Sequence, residues 1–196
     1  MPRRLGALAP VEQFVRSHLP PPPSRVLEVG CGAGELSLAL AGAGYDVLAV
    51  DPEPPQGAIF RRSTIEELDE PGPFDGVLAS RSLHHVSDLV VALERVAVLL
   101  RPGAAFVVDD FGWERLDPRS AERVGIPFDE WHAEHADLHT SEAMLRELDA
   151  RLSRRSFSWE PYLHREAREV VSEATERDLI AAEEIQPIGF RYVGTR

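Results

Sequence analysis

The sequence predicts an α/β protein built around a doubly wound, mainly parallel β-sheet. Three observations support this prediction. Apolar runs of strand length alternate with segments of helical period. A glycine-rich segment follows the first apolar run directly, at residues 30–34. The composition, with 43% hydrophobic and 28% charged residues in 196, is typical of a folded domain large enough to bury a core.

The elements can be placed in chain order. Val11, Phe14, Val15 and Leu19 recur at helical spacing ahead of the stiff proline run at 20–23. Seven runs have strand character, at 26–29, 45–50, 58–61, 74–79, 104–108, 153–159 and 188–193. Helices are expected at 36–41, 89–100, 140–152 and 166–184, whereas 112–139 looks irregular. Strands interleaved with helices favour βα units and therefore parallel pairing.

We expect one domain over 1–196, because no linker composition interrupts the chain. Within it we distinguish an N-terminal helix and proline-rich spacer (1–24), a ligand-binding core (25–111), a variable segment (112–139) and C-terminal helices and strands (140–196). The helix at 166–184 is expected to present a solvated charged face.

Charge and cysteine content exclude several classes of function. The net charge is −12, which disfavours nucleic acid and anionic membranes as partners. No apolar run approaches the length of a membrane-spanning helix, and we expect no secretory signal. Cys31 is the single cysteine, which fits a reducing compartment, so we expect a cytoplasmic protein. The sequence contains no lysine, which excludes Schiff-base chemistry on lysine.

The most specific motif is Glu28-Val29-Gly30-Cys31-Gly32-Ala33-Gly34. Glycines let backbone approach a ligand closely, and the following helix offers free N–H groups. Dinucleotide-binding loops have a different spacing, G-x-G-x-x-G. The motif resembles the first motif, E/D-x-G-x-G-x-G, of the class I (Rossmann-like) methyltransferases that use S-adenosylmethionine.

The resemblance continues through residues 25–111. Asp51 stands 17 residues after Gly34, at the end of the second strand. The segments Leu83-His84-His85-Val86 and Leu99-Leu100-Arg101-Pro102-Gly103 are similar to segments found after the fourth strand and before the fifth strand in small-molecule members of the family.

This resemblance implies a seven-stranded sheet with helices on both faces and an antiparallel C-terminal strand. It implies S-adenosylmethionine as cofactor, with the carboxylate of Asp51 on the ribose hydroxyls. Thr64 and Ile65 occupy the places that face adenine. The residues expected to bind the cofactor are Glu28, Gly30, Cys31, Gly32, Gly34, Asp51, Pro52, Thr64, Ile65 and Ser80.

The sequence departs from the family pattern at two points. Only residues 51–57, three of them proline, lie between the second and third strands, which is too short for a full crossover helix. We therefore expect a displaced or very short third strand. Thr64 stands where the family usually has an aspartate, so any hydrogen bond to adenine lacks charge.

His84, His85 and Asp109 are the candidate catalytic residues. All three lie at the carboxyl ends of central strands, where open α/β sheets bind ligands. One histidine would line the site, or one would cap or pack while the other is solvated. Of Asp109 and Asp110, one would orient an acceptor, or both would lie in a solvated bend.

His132, His135 and His139 share one face if their segment is helical, which makes a metal site conceivable. We predict no metal, because cysteine ligands are absent and Thr140 marks a helix start. Trp113, Phe128 and Trp131 would form the wall of an acceptor site or belong to the core.

We predict transfer of a methyl group to an O, N, S or C nucleophile of a small molecule. The alternative is a catalytically silent nucleoside-binding protein of the same fold, acting as a regulator or partner subunit. A nicotinamide-dependent oxidoreductase lacks the required glycine spacing. The acceptor and the oligomeric state stay open.

Overall fold

The computed structural model describes residues 9–167 and 170–196, and within them one mixed sheet of seven strands. The strands are Arg25–Val29 (β1), Asp46–Asp51 (β2), Phe60–Arg62 (β3), Phe74–Ser80 (β4), Leu100–Phe111 (β5), Ser153–Glu160 (β6) and Gly189–Thr195 (β7). Their spatial order is β3-β2-β1-β4-β5-β7-β6. β7 runs antiparallel to both of its neighbours, and the other pairings are parallel. The predicted fold class is confirmed.

The helices are Ala9–His18 (α1), Glu35–Gly42 (α2), Leu89–Leu99 (α3), Pro118–Val124 (α4), Phe128–His135 (α5), Ser141–Arg151 (α6), Leu163–Glu166 (α7) and Glu173–Ala181 (α8). Short 3₁₀ turns cover Leu83–His85 and Trp113–Arg115. Among the described residues, no helix has the length and apolarity that crossing a membrane requires.

Helices cover both faces of the sheet. On one face, α2 packs against β2, and α1 packs against β5 and α2, with Val15 and Leu40 in the shared apolar cluster. On the other face, α3 and α6 pack through Leu93 and Leu148 against β4 and β5. The strand order reverses between β1 and β4, which lie side by side although α2, β2 and β3 separate them in the chain. Open α/β sheets bind ligands outside the carboxyl ends of strands at such a switch point.

A third apolar cluster lies beyond the carboxyl ends of the strands. It joins α4, α5, α7 and α8 to the end of β5, with Phe111, Leu116, Tyr162 and Leu163 buried in it. We call the described residues 112–139, 161–167 and 170–188 the cap. The cap encloses the switch point from one side.

The expectation of an irregular segment at 112–139 is wrong, because α4 and α5 lie there. Asp117 caps α4 by accepting a hydrogen bond from the Ser120 N–H at 2.7 Å, and Pro118 occupies the first turn. Gly125 ends α4 in the left-handed region at φ 74°. The start and stop signals were therefore present in the sequence, although each helix is short.

The expectation of one charged helix over 166–184 is also wrong. The structure has α7 and a separate α8, which Ser172 caps by accepting from the Thr175 N–H. Residues 168 and 169 of the predicted helix lie outside the described residues. Glu176 is fully buried, not solvated. Its carboxylate accepts hydrogen bonds from the backbone N–H groups of Tyr162, Leu163 and His164, which satisfies the start of α7.

The connection between β2 and β3 has no helix, as the spacing predicted. β3 has three residues and pairs with the last three residues of β2 at the edge of the sheet. The expectation of a very short third strand is confirmed.

Candidate active site

The glycine loop connects the end of β1 to the start of α2. Gly30 and Cys31 donate backbone hydrogen bonds to the Val50 carbonyl, at 2.8 and 3.1 Å, which fastens the loop to β2. Gly30, Gly32 and Gly34 all have positive φ, at 69°, 49° and 76°. The loop therefore has a conformation that residues with side chains rarely adopt.

The glycines differ in what surrounds them. A Cβ atom at Gly30 would lie 2.3 Å from the Cβ of Ser82, so packing requires glycine there. A Cβ atom at Gly32 would meet nothing within 4 Å. The space over Gly32 is therefore open to a ligand that approaches the backbone.

Glu28 is the buried carboxylate beneath the loop, with 3% of its surface exposed. The Ser37 hydroxyl donates a hydrogen bond to Glu28 Oε2. Burial raises the pKa of Glu28 to about 7, although the Ser37 hydrogen bond acts in the opposite direction. Glu28 also lines the larger of two adjoining cavities. A carboxylate at this place suits a ligand with positive charge.

Cys31 is buried within the loop, and burial raises the pKa of its thiol to about 12. The side chain stays a neutral thiol at ordinary pH and is no nucleophile.

Asp51, the last residue of β2, lies across from the glycine loop. Its Oδ2 accepts from the Gly32 N–H and its Oδ1 from the Glu53 N–H, both at 2.8 Å. These bonds hold the carboxylate at the mouth of the smaller cavity, which it lines together with Pro52. Each carboxylate oxygen has a further lone pair for a hydroxyl donor.

The smaller cavity has a volume of about 370 Å³. Thr64 and Ile65 line its wall, and Ile65 is almost fully buried. The Thr64 hydroxyl oxygen accepts from the Glu67 N–H at 3.3 Å, a long hydrogen bond that fixes the turn. Ser82 and His85 also line this cavity.

The larger cavity has a volume of about 750 Å³ and begins where the smaller one ends. Gly30, Gly32, Arg81 and His85 line both cavities, so the two are contiguous. Ser80 lines the larger cavity only. Arg81 has φ 54°, a strained value for a residue with a side chain, and such strain is common at functional sites.

The cap supplies nearly half of the residues that line the larger cavity. Its aromatic and aliphatic lining residues include Ile126, Trp131, Leu138, Tyr162 and Val170, and Phe111 at the end of β5 lies beside them. Phe111 stacks on Tyr162 with ring centroids 4.2 Å apart. Of the proposed aromatic wall, Trp131 lines the cavity, whereas Trp113 and Phe128 pack behind it in the cap cluster.

His84 and His85 occupy different environments. His84 is buried and lines the floor of the larger cavity, with its Nδ1 2.5 Å from Asp110 Oδ1. His85 is more exposed and lies at the junction of the two cavities. Burial, followed by the electrostatic influence of the neighbouring His84, lowers the pKa of His85.

Asp109 lies apart from this site. Its carboxylate is buried in ion pairs with Arg165 at 2.7 Å and Arg191 at 3.0 Å, and it lines neither of the two cavities. Successive residues of a strand point to opposite faces, so Asp110 and not Asp109 meets His84. Asp109 therefore fits a role in anchoring α7 to the sheet better than a role in catalysis.

The histidines at 132, 135 and 139 do not converge. His132 contacts the Leu116 carbonyl through Nε2, His135 the Trp131 carbonyl through Nδ1, and His139 the Val86 carbonyl through Nε2. Within the described part of the chain, no group of three metal-ligating side chains is assembled.

Comparison with known proteins decides the family. A family model described as a methyltransferase domain matches residues 4–155. The chain belongs to this methyltransferase family. The predicted family is confirmed, and S-adenosylmethionine is the cofactor that it implies.

Sequence relatives and solved structures agree with this result. This methyltransferase is 36% identical over 115 residues to a ubiquinone biosynthesis O-methyltransferase of Xanthomonas campestris pv. campestris (strain B100). The match covers 50% of the chain and 48% of the relative, so the chain spans about half the length of the curated relatives it matches.

Two solved structures share the fold of this methyltransferase. One is an S-adenosylmethionine dependent methyltransferase from Mesorhizobium loti, with TM-score 0.65, 21% identity and coverage of 98% of this chain and 99% of that one. The other is geranyl diphosphate C-methyltransferase from Streptomyces coelicolor A3(2), with TM-score 0.67, 16% identity and coverage of 96% and 79%.

Sequence reasoning about this methyltransferase left several cavity residues unassigned. Arg81 and Ser82 follow a strand end and could have been found from that position. Tyr162 and Glu166 reach the cavity only through the packing of the cap, and no motif indicates them. Asp110 was one of two adjacent aspartates that the sequence does not distinguish.

Proposed function

We propose that the chain transfers a methyl group from S-adenosylmethionine to a small, neutral or cationic aromatic molecule. The observation that carries the proposal is the contiguity of the two cavities. The smaller one is bounded by the glycine loop and Asp51, and the larger one by aromatic side chains of the cap. A donor and an acceptor bound in these two spaces would meet beside Gly30, Gly32, Arg81 and His85.

The residues of the smaller cavity fit the cofactor. The open space over Gly32 accommodates close approach of a ligand to the backbone. Asp51 offers acceptor-only oxygens to a vicinal diol, and Ile65 offers an apolar surface to a flat ring. In this proposal Glu28, Gly30, Gly32, Gly34, Asp51, Pro52, Thr64, Ile65 and Ser80 hold the cofactor, with Cys31 contributing through its backbone.

The acceptor class follows from the lining of the larger cavity. The aromatic side chains of Phe111, Trp131 and Tyr162 are part of this lining. Three carboxylate residues besides the buried Glu28, namely Glu35, Glu134 and Glu166, line the same space, and Arg81 is the single arginine among its described lining residues. An acidic rim repels anions, whereas aromatic faces attract cations and apolar rings. The net charge of −12 likewise supports a small molecule over nucleic acid as acceptor.

The chain contributes mainly alignment and exclusion of water. Bound S-adenosylmethionine supplies a methyl carbon that is electrophilic because the adjacent sulfur is a sulfonium. The loop and Asp51 fix one reactant, and the cap positions the other and shields both from solvent. Such alignment provides a large part of the rate enhancement in transfer reactions.

Isothermal calorimetry with S-adenosylhomocysteine tests the cofactor site. Gly32→Val should abolish measurable binding, because the side chain fills the open space and the backbone has positive φ. Gly103→Val is the matched control, since Gly103 also has positive φ (81°) and nothing within 4 Å of an added Cβ. Equal binding by the two variants would contradict the proposal.

A second experiment separates transfer from silent binding. The protein is incubated with methyl-labelled S-adenosylmethionine and a metabolite extract, and labelled products are identified by mass spectrometry. We expect a labelled aromatic product without phosphate or carboxylate groups. Cofactor binding without any labelled product would favour the catalytically silent alternative.

A further inference from the structure

Asp110 and His84 form a hydrogen-bonded pair of side chains beneath the larger cavity. Asp110, at the end of β5, is fully buried in its side chain, and its Oδ1 lies 2.5 Å from His84 Nδ1. Asp110 Oδ2 accepts from the Leu83 N–H at 3.0 Å, and Oδ1 also accepts from the Phe111 N–H at 2.8 Å. The carboxylate is therefore held in one orientation from three directions.

This arrangement fixes the tautomer of His84. A carboxylate accepts hydrogen bonds, so Nδ1 carries the proton and Nε2 presents its lone pair. His84 lines the larger cavity, and within the described residues Nε2 has no hydrogen-bond partner. Among the described residues, only Glu114 Oε2 is a side-chain nitrogen or oxygen atom that is both buried and without a hydrogen-bond partner. Because Nε2 of His84 has no partner either, it must be accessible and not buried. The free nitrogen therefore faces the cavity.

The neighbouring rings restrict how His84 can move. Phe111 packs edge-on at 4.7 Å between ring centroids, and the His85 ring lies 4.1 Å away on another side. A histidine that is oriented by a buried carboxylate and clamped by rings is the arrangement of a general base.

We propose that Asp110 and His84 form a catalytic dyad that deprotonates the acceptor, and that the acceptor atom is a hydroxyl oxygen, most simply that of a phenol. The inference rests on the proposed function. The acceptor proton passes to His84 Nε2, the oxygen electron pair forms the bond to the methyl carbon, and the electron pair of the breaking C–S bond stays on sulfur. The products are a methyl ether, the neutral thioether and an imidazolium paired with Asp110, which then releases its proton to water. Asp110 is the positioning residue and His84 the catalytic residue.

The choice of a hydroxyl follows from its need for a base. A phenol has a pKa of about 10 and is mostly protonated at neutral pH, so proton removal accelerates its attack. An aromatic thiol ionises without help, and a neutral amine attacks through its lone pair. Among heteroatom nucleophiles, a fixed base in the acceptor cavity is therefore useful chiefly for oxygen.

The first test is nitrogen NMR of the free protein, which needs no substrate. Long-range ¹⁵N–¹H spectra should show His84 protonated at Nδ1, with its peaks identified by their loss in His84→Asn. His132 and His139, protonated at Nε2 by their carbonyl contacts, provide internal references of the opposite tautomer. Asp110→Asn should shift His84 toward the Nε2–H tautomer. A wild-type His84 protonated at Nε2 would overturn the dyad.

The second test compares two probes, catechol and thiophenol, with methyl-labelled S-adenosylmethionine. His84→Asn should lower kcat for catechol about 100-fold or more, the usual contribution of a general base, with KM little changed. The same variant should retain thiophenol methylation within about threefold of the wild type. His132→Asn, whose ring lies outside both cavities, is the matched control and should alter neither rate.

Equal loss of both rates in His84→Asn would overturn the base role. Calorimetry with S-adenosylhomocysteine keeps the two proposals apart. Absence of binding to the wild type would contradict the proposed function, whereas binding together with the wrong His84 tautomer would contradict the dyad alone.

Discussion

The two sides of the candidate site are built in different ways. The cofactor side uses backbone from neighbouring segments: the loop after β1, the end of β2 and the turn at 63–66. The acceptor side uses side chains from β5, the 3₁₀ turn at Leu83–His85, α5 and α7, which are far apart in the sequence. Backbone geometry is encoded by glycine spacing, whereas converging side chains depend on how helices pack. The first side is therefore much easier to read from a sequence than the second.

We expect the largest loss of stability from Glu176→Ala, a substitution on the acceptor side of the site. The substitution leaves three backbone N–H groups and His164 Nδ1 without their acceptor in the cap. Breaking such a buried pair costs about 3–5 kcal/mol. Urea unfolding should show this loss of stability.

Because the two sides are built from different segments, we expect the structural effect of Glu176→Ala to be confined to the cap. At temperatures where Glu176→Ala is folded, its affinity for S-adenosylhomocysteine should stay within about threefold of the wild type. Glu173→Ala, on the exposed side of α8, is the control and should change stability by about 1 kcal/mol at most. Loss of cofactor affinity in Glu176→Ala alone would show that the two sides are coupled.

On the cofactor side, we expect Glu28→Gln to cause a smaller change, which is a change in how stability depends on pH. Burial raises the pKa of Glu28 from 4.5 to about 7, so the folded protein binds a proton that the unfolded chain releases. The stabilising contribution of that proton is complete below pH 4.5 and is lost as the pH rises through about 7. The difference corresponds to about 3 kcal/mol.

Glu28→Gln should therefore be more stable than the wild type at about pH 8 and similar to it at about pH 4.5, as urea midpoints at both values would show. Glu35→Gln, exposed on the first turn of α2, should not alter the pH dependence. A wild-type protein whose stability is flat over this interval would mean that Glu28 is already ionised and paired.

We expect the smallest change in stability from Arg81→Gly, at the place where the two sides meet. Arg81 has φ 54°, a value that glycine adopts without strain. Relief of this strain should stabilise the protein by about 1 kcal/mol, less the entropy that glycine adds to the unfolded chain. Glu183→Gly, at φ 56° in the cap, is the matched control and should give a similar gain. A net loss of stability in Arg81→Gly alone would indicate that the Arg81 side chain makes contacts that hold the junction together.

Much of the core could be predicted, because its signals are local. The helix at the N-terminus, the strands of the sheet and the short third strand all follow from hydrophobic period and spacing. The helices α4 and α5 were missed although Asp117, Pro118 and Gly125 signal the bounds of α4, because eight or fewer residues show little periodicity. The predicted helix at 166–184 was wrong because charge alone does not reveal that Glu176 is buried as a cap for α7.

Residue types alone are enough to place a glycine loop followed by a helix at the first strand crossover, since positive φ and open backbone depend on residue type. Strand alternation also determined that Asp109 and Asp110 point to opposite faces of the sheet. Which of the two aspartates meets His84 depends on the packing of the folded chain. Asp109 lies on the α1 side, where Arg191 and Arg165 neutralise it, and Asp110 lies against the histidine. The choice depends on which charged partners the packed helices and neighbouring strands bring to each face, and no local pattern carries that information.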